Sequence, residues 1–418
     1  MGIIERNNQV INIAGDYPDQ SLHYLLAKIH NAIVKAEYQD IIIDFSKCTS
    51  AFPSSMLATC AQIMKYREAG IGVITVLPEK KELSRLFLNA NWAHLLDPDR
   101  YESSTFRGHT QVPATQYKNP KEQHEAVNRI VNAILGAVPD IERSSFAAFE
   151  WSINEITDNV LTHAESPIGG LVQVSTFQRA KRIVQYIVAD SGKSIPKTLR
   201  ETHNELSSDT DALDKAIREG VTRDKSIGQG NGLFGSFQIC CHCKGEFKVD
   251  SGYGCLKYTE KNGLHIKKET VPYDGTVVIA SIDFSNPSLL EEALKFGGER
   301  YSPIDYVEMK YENLDDEKLI FVMKDESSSF GSRPAGTPVR NRLNNIYNMT
   351  GSGKIYVDFI DIPIISSSFA DEVFGKLFAE IGPLGFMQRF EFMNISQTVR
   401  QLIDKAIAQR MALPQDEA

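Results

Sequence analysis

Cysteine is scarce in this chain. The six residues Cys48, Cys60, Cys240, Cys241, Cys243 and Cys255 are too few and too irregular for a disulfide scaffold. The run Cys240-Cys241-His242-Cys243 lacks a second ligand pair at zinc-site spacing, so buried or idle thiols are the better reading. No apolar run is long enough to cross a bilayer, and the N-terminus has no signal-peptide pattern. Positive charge is not in excess either: 45 Lys and Arg stand against 54 Asp and Glu, a net charge of −9. No global field therefore favours nucleic acid or anionic membrane. The expectation is a soluble, cytoplasmic protein without membrane or nucleic-acid partners, and its 418 residues suffice for several domains.

What is present is a series of short polar elements in a fixed order. In Phe149–Val160 the apolar residues Phe149, Ile153, Ile156 and Val160 recur at helical spacing and should face a core. Glu155, Asn159 and His163 fall one turn apart on another stripe of that helix. A carboxylate and a carboxamide stacked in this way suit oxygen ligation of Mg²⁺, although three such residues alone would more often describe a solvated face. Leu171–Phe177 and Ile183–Ala189 read as a strand pair around a charged turn at Arg179–Arg182. Asp190 ends the second strand, where its carboxylate can accept a hydrogen bond from an exocyclic amine such as that of adenine, and Gly192 allows close backbone approach to a ligand. Gly228-Gln229-Gly230-Asn231-Gly232 then precedes the apolar segment Leu233–Cys240, which reads as a helix with an anion-attracting N-terminus. Gly275-Thr276 follows. A lone glycine run is usually a flexible turn; the order of the acidic and glycine elements is what favours a phosphate site.

Glu155-x3-Asn159-x3-His163 resembles the N-box of the GHKL ATPase superfamily, which includes gyrase, histidine kinases, MutL and the anti-sigma serine kinases. Asp190-Ser191-Gly192-Lys193-Ser194-Ile195-Pro196 resembles its first glycine box, with Ser194 where the family has a second glycine. Gly228–Gly232 resembles the second box, and Gly275-Thr276 the terminal Gly-Thr box. The resemblance covers roughly 120–285. It implies an α/β sandwich of the Bergerat type that binds ATP with Mg²⁺. Asn159 would hold Mg²⁺, Asp190 would read adenine, and Thr276 would support that contact. His163, Gly192, Ser194, Gly228, Gly230, Gly232 and Leu233 would complete the cofactor site, and Glu155 would be the general base. Residues 197–227 would be the ATP lid, a polar stretch of the kind that is usually mobile. Within it Arg223 and Lys225 could reach the γ-phosphate, a solvated basic pair being an equal alternative. His203-Asn204-Glu205-Leu206 is similar to a histidine-kinase phosphoacceptor only superficially, since it lies inside that lid.

The flanks read as alternating strands and helices. Val10–Ala14, Asp40–Phe45 and Gly72–Leu77 are predicted strands; Leu22–Ala36, Ser54–Tyr66 and Glu82–Leu88 are predicted helices. The order recurs from Lys318, with strands at Lys318–Met323, Lys354–Phe359 and Arg389–Met393 and helices near Val339–Tyr347, Phe369–Glu380 and Ser396–Arg410. Asp44-Phe45 precedes Ser54 as Asp358-Phe359 precedes Ser368. Both flanks resemble STAS domains, the fold of anti-sigma-factor antagonists, whose switched members carry an Asp-Ser pair in this loop. Here Phe52 or Pro53, and Ser366, stand at the Asp position. Ser54 and Ser367 are the candidate phosphoacceptors, with helix capping the competing role.

The predicted organisation is therefore α/β and multidomain: a STAS-like domain at 1–105, an ATP-binding domain at 106–285 with its core at 145–285, a linker with one helix (Pro287–Leu294) at 286–317, and a STAS-like domain at 318–418. The expected function is an ATP·Mg²⁺-binding regulator of the partner-switching type, with protein partners engaged through the STAS-like domains. As an enzyme it would be a serine/threonine kinase or an ATPase. The alternative is a slow ATPase that acts as a lid-gated clamp, although nothing after 285 resembles a transducer domain. ATP as a purely structural ligand is a third reading. The resemblance also leaves a homodimer open.

Overall fold

In the computed structural model, residues 2–106, 111–176, 182–221, 230–303, 305–313 and 318–412 are described. The fold is mixed α/β with several sheets, and the chain divides into two compact units: residues 1–130 with 148–302, and 131–147 with 303–418.

The first unit begins with strands β1 (Ile3–Asn7) and β2 (Val10–Tyr17), helix α1 (Leu22–His30, continued by a π-turn to Lys35), β3 (Asp40–Asp44) and β4 (Cys48–Ala51). Helix α2 (Pro53–Glu68), β5 (Gly72–Val76), α3 (Lys81–Asn89) and α4 (Trp92–Leu96) follow. The sheet order is β1-β2-β3-β5, with β1 antiparallel to β2 and the remaining pairs parallel. Short alternating apolar runs make these strands: Ile41 and Ile43 are fully buried while Asp40 is exposed. The strands β1 and β4 and helix α4 are absent from the sequence-based expectation. β4 has only four residues and pairs beside β2, too short for a periodic signal.

The same unit continues with β6 (Gln111–Tyr117), the first part of the long helix α5 (Pro120–Ala137) and the last part of α6 (Arg143–Asn159), residues 131–147 between them belonging to the second unit. Strands β7 (Gly170–Thr176) and β8 (Ile183–Asp190) precede helices α7 (Ile195–Arg200), α8 (Asp209–Ala216) and α9 (Gly232–His242). Strands β9 (Glu246–Thr259) and β10 (Gly263–Asp283) complete a five-stranded antiparallel sheet in the order β6-β7-β8-β10-β9. A short helix α10 (Leu289–Ala293) and a hairpin of β11 (Lys295–Phe296) and β12 (Glu299–Arg300) end the unit. The stretch 286–317, read as a linker with one helix at Pro287–Leu294, thus holds this shorter helix and a hairpin, and after them a second helix (Tyr306–Tyr311) and a two-residue strand (Glu312–Asn313).

The second sheet is buried on both faces near β8. Tyr186 and Val188 face α6 and the cavity described below, whereas Ile187 and Ala189 join a core with Met56, Leu57 and Ala58 of α2. Every residue of α2 from Ser54 to Ile63 is buried, and this helix lies between the two sheets. Trp92 Nε1 donates to Gln173 Oε1 at 2.9 Å across the same interface.

The second unit carries α11 (Tyr306–Tyr311), β13 (Glu312–Asn313), β14 (Lys318–Val322), α12 (Met323–Glu326), α13 (Arg333–Met349) and β15 (Ile355–Asp358). Helices α14 (Ser367–Ala370), α15 (Lys376–Ile381) and α16 (Pro383–Arg389), strand β16 (Phe390–Met393) and α17 (Gln397–Met411) complete it. Its sheet order is β13-β14-β15-β16, antiparallel and then twice parallel, the same path as β1-β2-β3-β5. The echo at Asp44 and Asp358 extends to atoms: Asp44 Oδ1 accepts from Ser46 N at 2.8 Å, and Asp358 Oδ1 from Ile360 N at 2.9 Å. Residues 131–147 are held in this unit by buried Asn345, which donates to the carbonyls of Leu135 and Val138 and accepts from Ile141 N.

Candidate functional site

A cavity of about 400 Å³ opens between α6, α9 and the end of β8. Phe149 and Ile153 turn α6 inward, Phe149 meeting Tyr186 and Phe284 edge-on, which leaves the polar stripe facing the cavity. Glu155, Asn159 and His163 all line it. Glycines let α9 approach this stripe. A Cβ on Gly232 would stand 2.6 Å from Glu155 Oε2, and one on Gly235 would stand 2.4 Å from the Trp151 ring. The N-terminus of α9 is thereby set beside Glu155, with Gly230, Gly232 and Leu233 on the cavity wall. Burial, followed by the nearby charge of Asp158, raises the Glu155 pKa.

Asp190 lies at the opposite end, almost fully buried. Its Oδ1 accepts from Gly192 N at 2.8 Å. Burial pushes its pKa up to about 7, opposed by hydrogen bonds from the Gly192 and Thr276 amides. Gly275, at φ +99°, lies so close that a Cβ would stand 2.4 Å from the Asp190 carbonyl oxygen. Thr276 lines the cavity and shares a 2.9 Å hydroxyl contact with Ser251.

Gly192 and Ser194, both expected at the cofactor site, lie beside the cavity and not on its lining. Gly192 is required by a close pass to Ala164, whose carbonyl oxygen a Cβ at this position would meet at 2.0 Å, and it does not line the cavity. Ser194 caps α7, its hydroxyl accepting from Lys197 N, and is also absent from the lining. Lys193 and Ile195 on either side of it do line the cavity, Lys193 being ion-paired with Glu165 and Glu201. Lys225, Gly228, Gln229 and Arg223 lie outside the described residues.

The polar stretch after Lys197 carries helices α7 and α8. Ser208 caps α8, and Asp209 bonds Arg200 at 2.6 Å and the Tyr253 amide at 2.7 Å. His203 is engaged there with Lys215 and Glu205.

The serine expectations also shift. Ser54 is not a cap: Phe52 is the N-cap of α2, and the buried Ser54 hydroxyl donates to Asp19 at 2.8 Å. On α14 the capping serine is Ser366, which accepts from Phe369 N at 3.0 Å, while Ser367 is exposed at the first helical position. Cys240 and Cys243 are buried, and burial raises both thiols, Cys243 to about 11.

Sequence reasoning missed the aromatic wall. Trp151, Phe296 and Tyr301 line the cavity and pack on one another, Trp151 lying 6.1 Å from Phe296 and 6.3 Å from Tyr301 between ring centroids. The available signal was Gly297-Gly298 between residues of a short hairpin, both at positive φ.

Residues 335–400 match a family described as STAS-like domain of unknown function (DUF4325), from α13 through β15 and β16 to the start of α17. No ATPase family model matches, and no curated protein matches the chain. Among the described residues no helix is long and apolar enough to cross a membrane, and no group of three His, Cys, Asp or Glu is arranged to hold a metal ion.

Proposed function

We propose that the chain is an ATP·Mg²⁺-binding regulatory protein of the partner-switching type, in which nucleotide state or serine phosphorylation controls contacts made by STAS-like domains with protein partners. The observation that carries this reading is the convergence of Glu155, Asn159, His163, Asp190, Gly232 and Thr276 on one cavity from α6 and the π-turn that continues it, β8, α9 and β10.

The donor set fits the group. At the base end, a buried carboxylate deprived of water gains from an exocyclic amine, and Thr276 stands beside it. At the other end, the amides that open α9 and the adjoining glycines suit phosphate oxygens, and the Asn159 carboxamide oxygen suits Mg²⁺. When bound, ATP would supply a transferable γ-phosphoryl group. Glu155 would accept the proton of the attacking hydroxyl, from serine or from water. Its raised pKa makes the carboxylate a better base near neutrality. The wall of Trp151 and Phe296 would keep bulk water from that carboxylate. Ser367, exposed at a helix start in the STAS-like segment, is the acceptor favoured over buried Ser54, whose phosphate would face Asp19.

The test is incubation of wild-type and Glu155→Ala protein with γ-labelled ATP and Mg²⁺, following free phosphate and protein-bound label. Label on Ser366–Ser368 or on a partner serine that disappears in the variant is the expected result. Free phosphate without protein label would favour the clamp ATPase. Neither signal, with wild type also failing to retain ATP, would overturn the proposal.

A further inference from the structure

Strand β10 is irregular where it passes the cavity. Its pairing with β9 shifts between Lys268 and Tyr273 and again between Tyr273 and Thr276. This bulge is what lays Gly275 on Asp190 and turns Thr276 into the cavity. A bulge leaves backbone groups without ladder partners, and here they are supplied from the opposite face of the sheet by α2. Gln62 Nε2 donates to the Asp274 carbonyl at 2.6 Å, and Lys65 Nζ pairs with the Asp274 carboxylate at 3.0 Å. The fully buried Tyr273 hydroxyl stands between two carbonyl oxygens, Ala58 of α2 at 3.3 Å and Asp190 at 3.0 Å.

We propose that helix α2 positions the base end of the cavity, with Gln62 and Lys65 as positioning residues for the Tyr273–Thr276 bulge and, through Tyr273, for Asp190. The inference rests on the nucleotide reading above. None of Ala58, Gln62 and Lys65 lines the cavity, so they act through the bulge rather than by touching a ligand. Among the described residues, the charged and titratable groups coupled to Asp190 are Lys65 from α2, Tyr273 from β10 and Tyr117 from β6. Burial raises both tyrosines well above their usual range, so they stay neutral, and Lys65 is the cation that favours the Asp190 carboxylate. The glycine contacts that set α9 against α6 involve none of these residues. Helix α2 is therefore coupled to base recognition specifically, and any partner that shifts α2 shifts Asp190 and Thr276.

The experiment measures Mg·ATP affinity of the full chain calorimetrically from pH 6 to 9, for wild type, Lys65→Met, Lys65→Arg and Gln62→Met, with melting temperatures alongside. The expected result at pH 7 is a roughly tenfold weaker affinity for Lys65→Met and Gln62→Met, the scale of one lost hydrogen bond. In Lys65→Met the pH at which affinity rises moves upward, and Lys65→Arg restores both. A purely structural role would weaken binding equally at every pH, and that result, or unchanged affinity in all three variants, would overturn the positioning role. If Gln62→Met fails to fold, the half-exposed Lys65 position decides alone. Wild type that binds no ATP at any pH would instead remove the nucleotide reading and this inference together.

Discussion

Asp190 and Gly232 mark the two ends of the cavity at the residue scale. The Asp190 carboxyl is raised from 3.8 to about 7 by burial, so between those values the folded chain holds a proton that the unfolded chain has lost. Its contribution to stability accordingly falls as pH rises from about 4 to 7, and Asp190→Asn should flatten that part of the melting profile. An amine-bearing base favours the ionised form, so ATP binding near pH 6 should release a proton. Calorimetry in buffers of different ionisation enthalpy reads this directly, and buffer-independent heats would contradict it. Gly232→Ala tests the other end. Its Cβ would stand 2.6 Å from Glu155 Oε2, the end of the side chain that can move, and 3.3 Å from the Glu155 Cβ, so the fold should survive with a cost of about 1 kcal/mol. Turnover or phosphotransfer should fall by about tenfold to a hundredfold through displacement of the base, with ATP affinity largely kept. The spacing of Glu155, Asn159 and His163 was legible because helical periodicity puts them on one stripe. The close pass at Gly192 and the cap made by Ser194 were not, because both leave the same residue types in sequence as a glycine box.

At the scale of elements, helix α2 shows why some of the fold was hidden. Small, polar and apolar residues follow one another through Ser54–Ile63 without a clear apolar stripe, and in the structure all of them are buried between two sheets. The helix was legible; its second packing face was not, because that face is defined by strands more than a hundred positions away. The bulge in β10 was invisible for the same reason, since irregular pairing depends on the partner strand. The hairpin β11–β12 supplies a convenient probe. Trp151 lines the cavity against Phe296 and Tyr301, whereas Trp92, the other of the chain's 2 tryptophans, is sealed in the shared core. Nucleotide addition should change the fluorescence of Trp151, and Trp151→Phe should abolish the response while Trp92 emission stays constant. A response that persists in Trp151→Phe would place the ligand elsewhere.

At the scale of the whole molecule, the first sheet and the C-terminal sheet follow one path with the same strand directions, and both place an aspartate turn at the end of the third strand in that path. The sequence echo of Asp-Phe and a later serine was the visible trace of this shared path. The copies differ in use. The N-terminal helix α2 is enclosed against the second sheet, whereas the C-terminal counterpart presents Ser367 to solvent. Removing residues 1–105 should expose Leu171, Ile187, Ala189, Val277 and Ile279 together on one sheet face, so a fragment 106–418 is expected to aggregate. A soluble, monomeric fragment with a cooperative melt would contradict that account.

The cavity between Glu155 and Asp190 is the proposed site of ATP with Mg²⁺. The most direct measurement is equilibrium dialysis of labelled ATP against wild-type, Asn159→Ala and Asp190→Asn protein, with and without Mg²⁺. Saturable binding of about one ATP per chain is expected, weakened by about tenfold or more in Asp190→Asn and stripped of its Mg²⁺ dependence in Asn159→Ala. Binding that is absent in wild type, or indifferent to both substitutions, would contradict it.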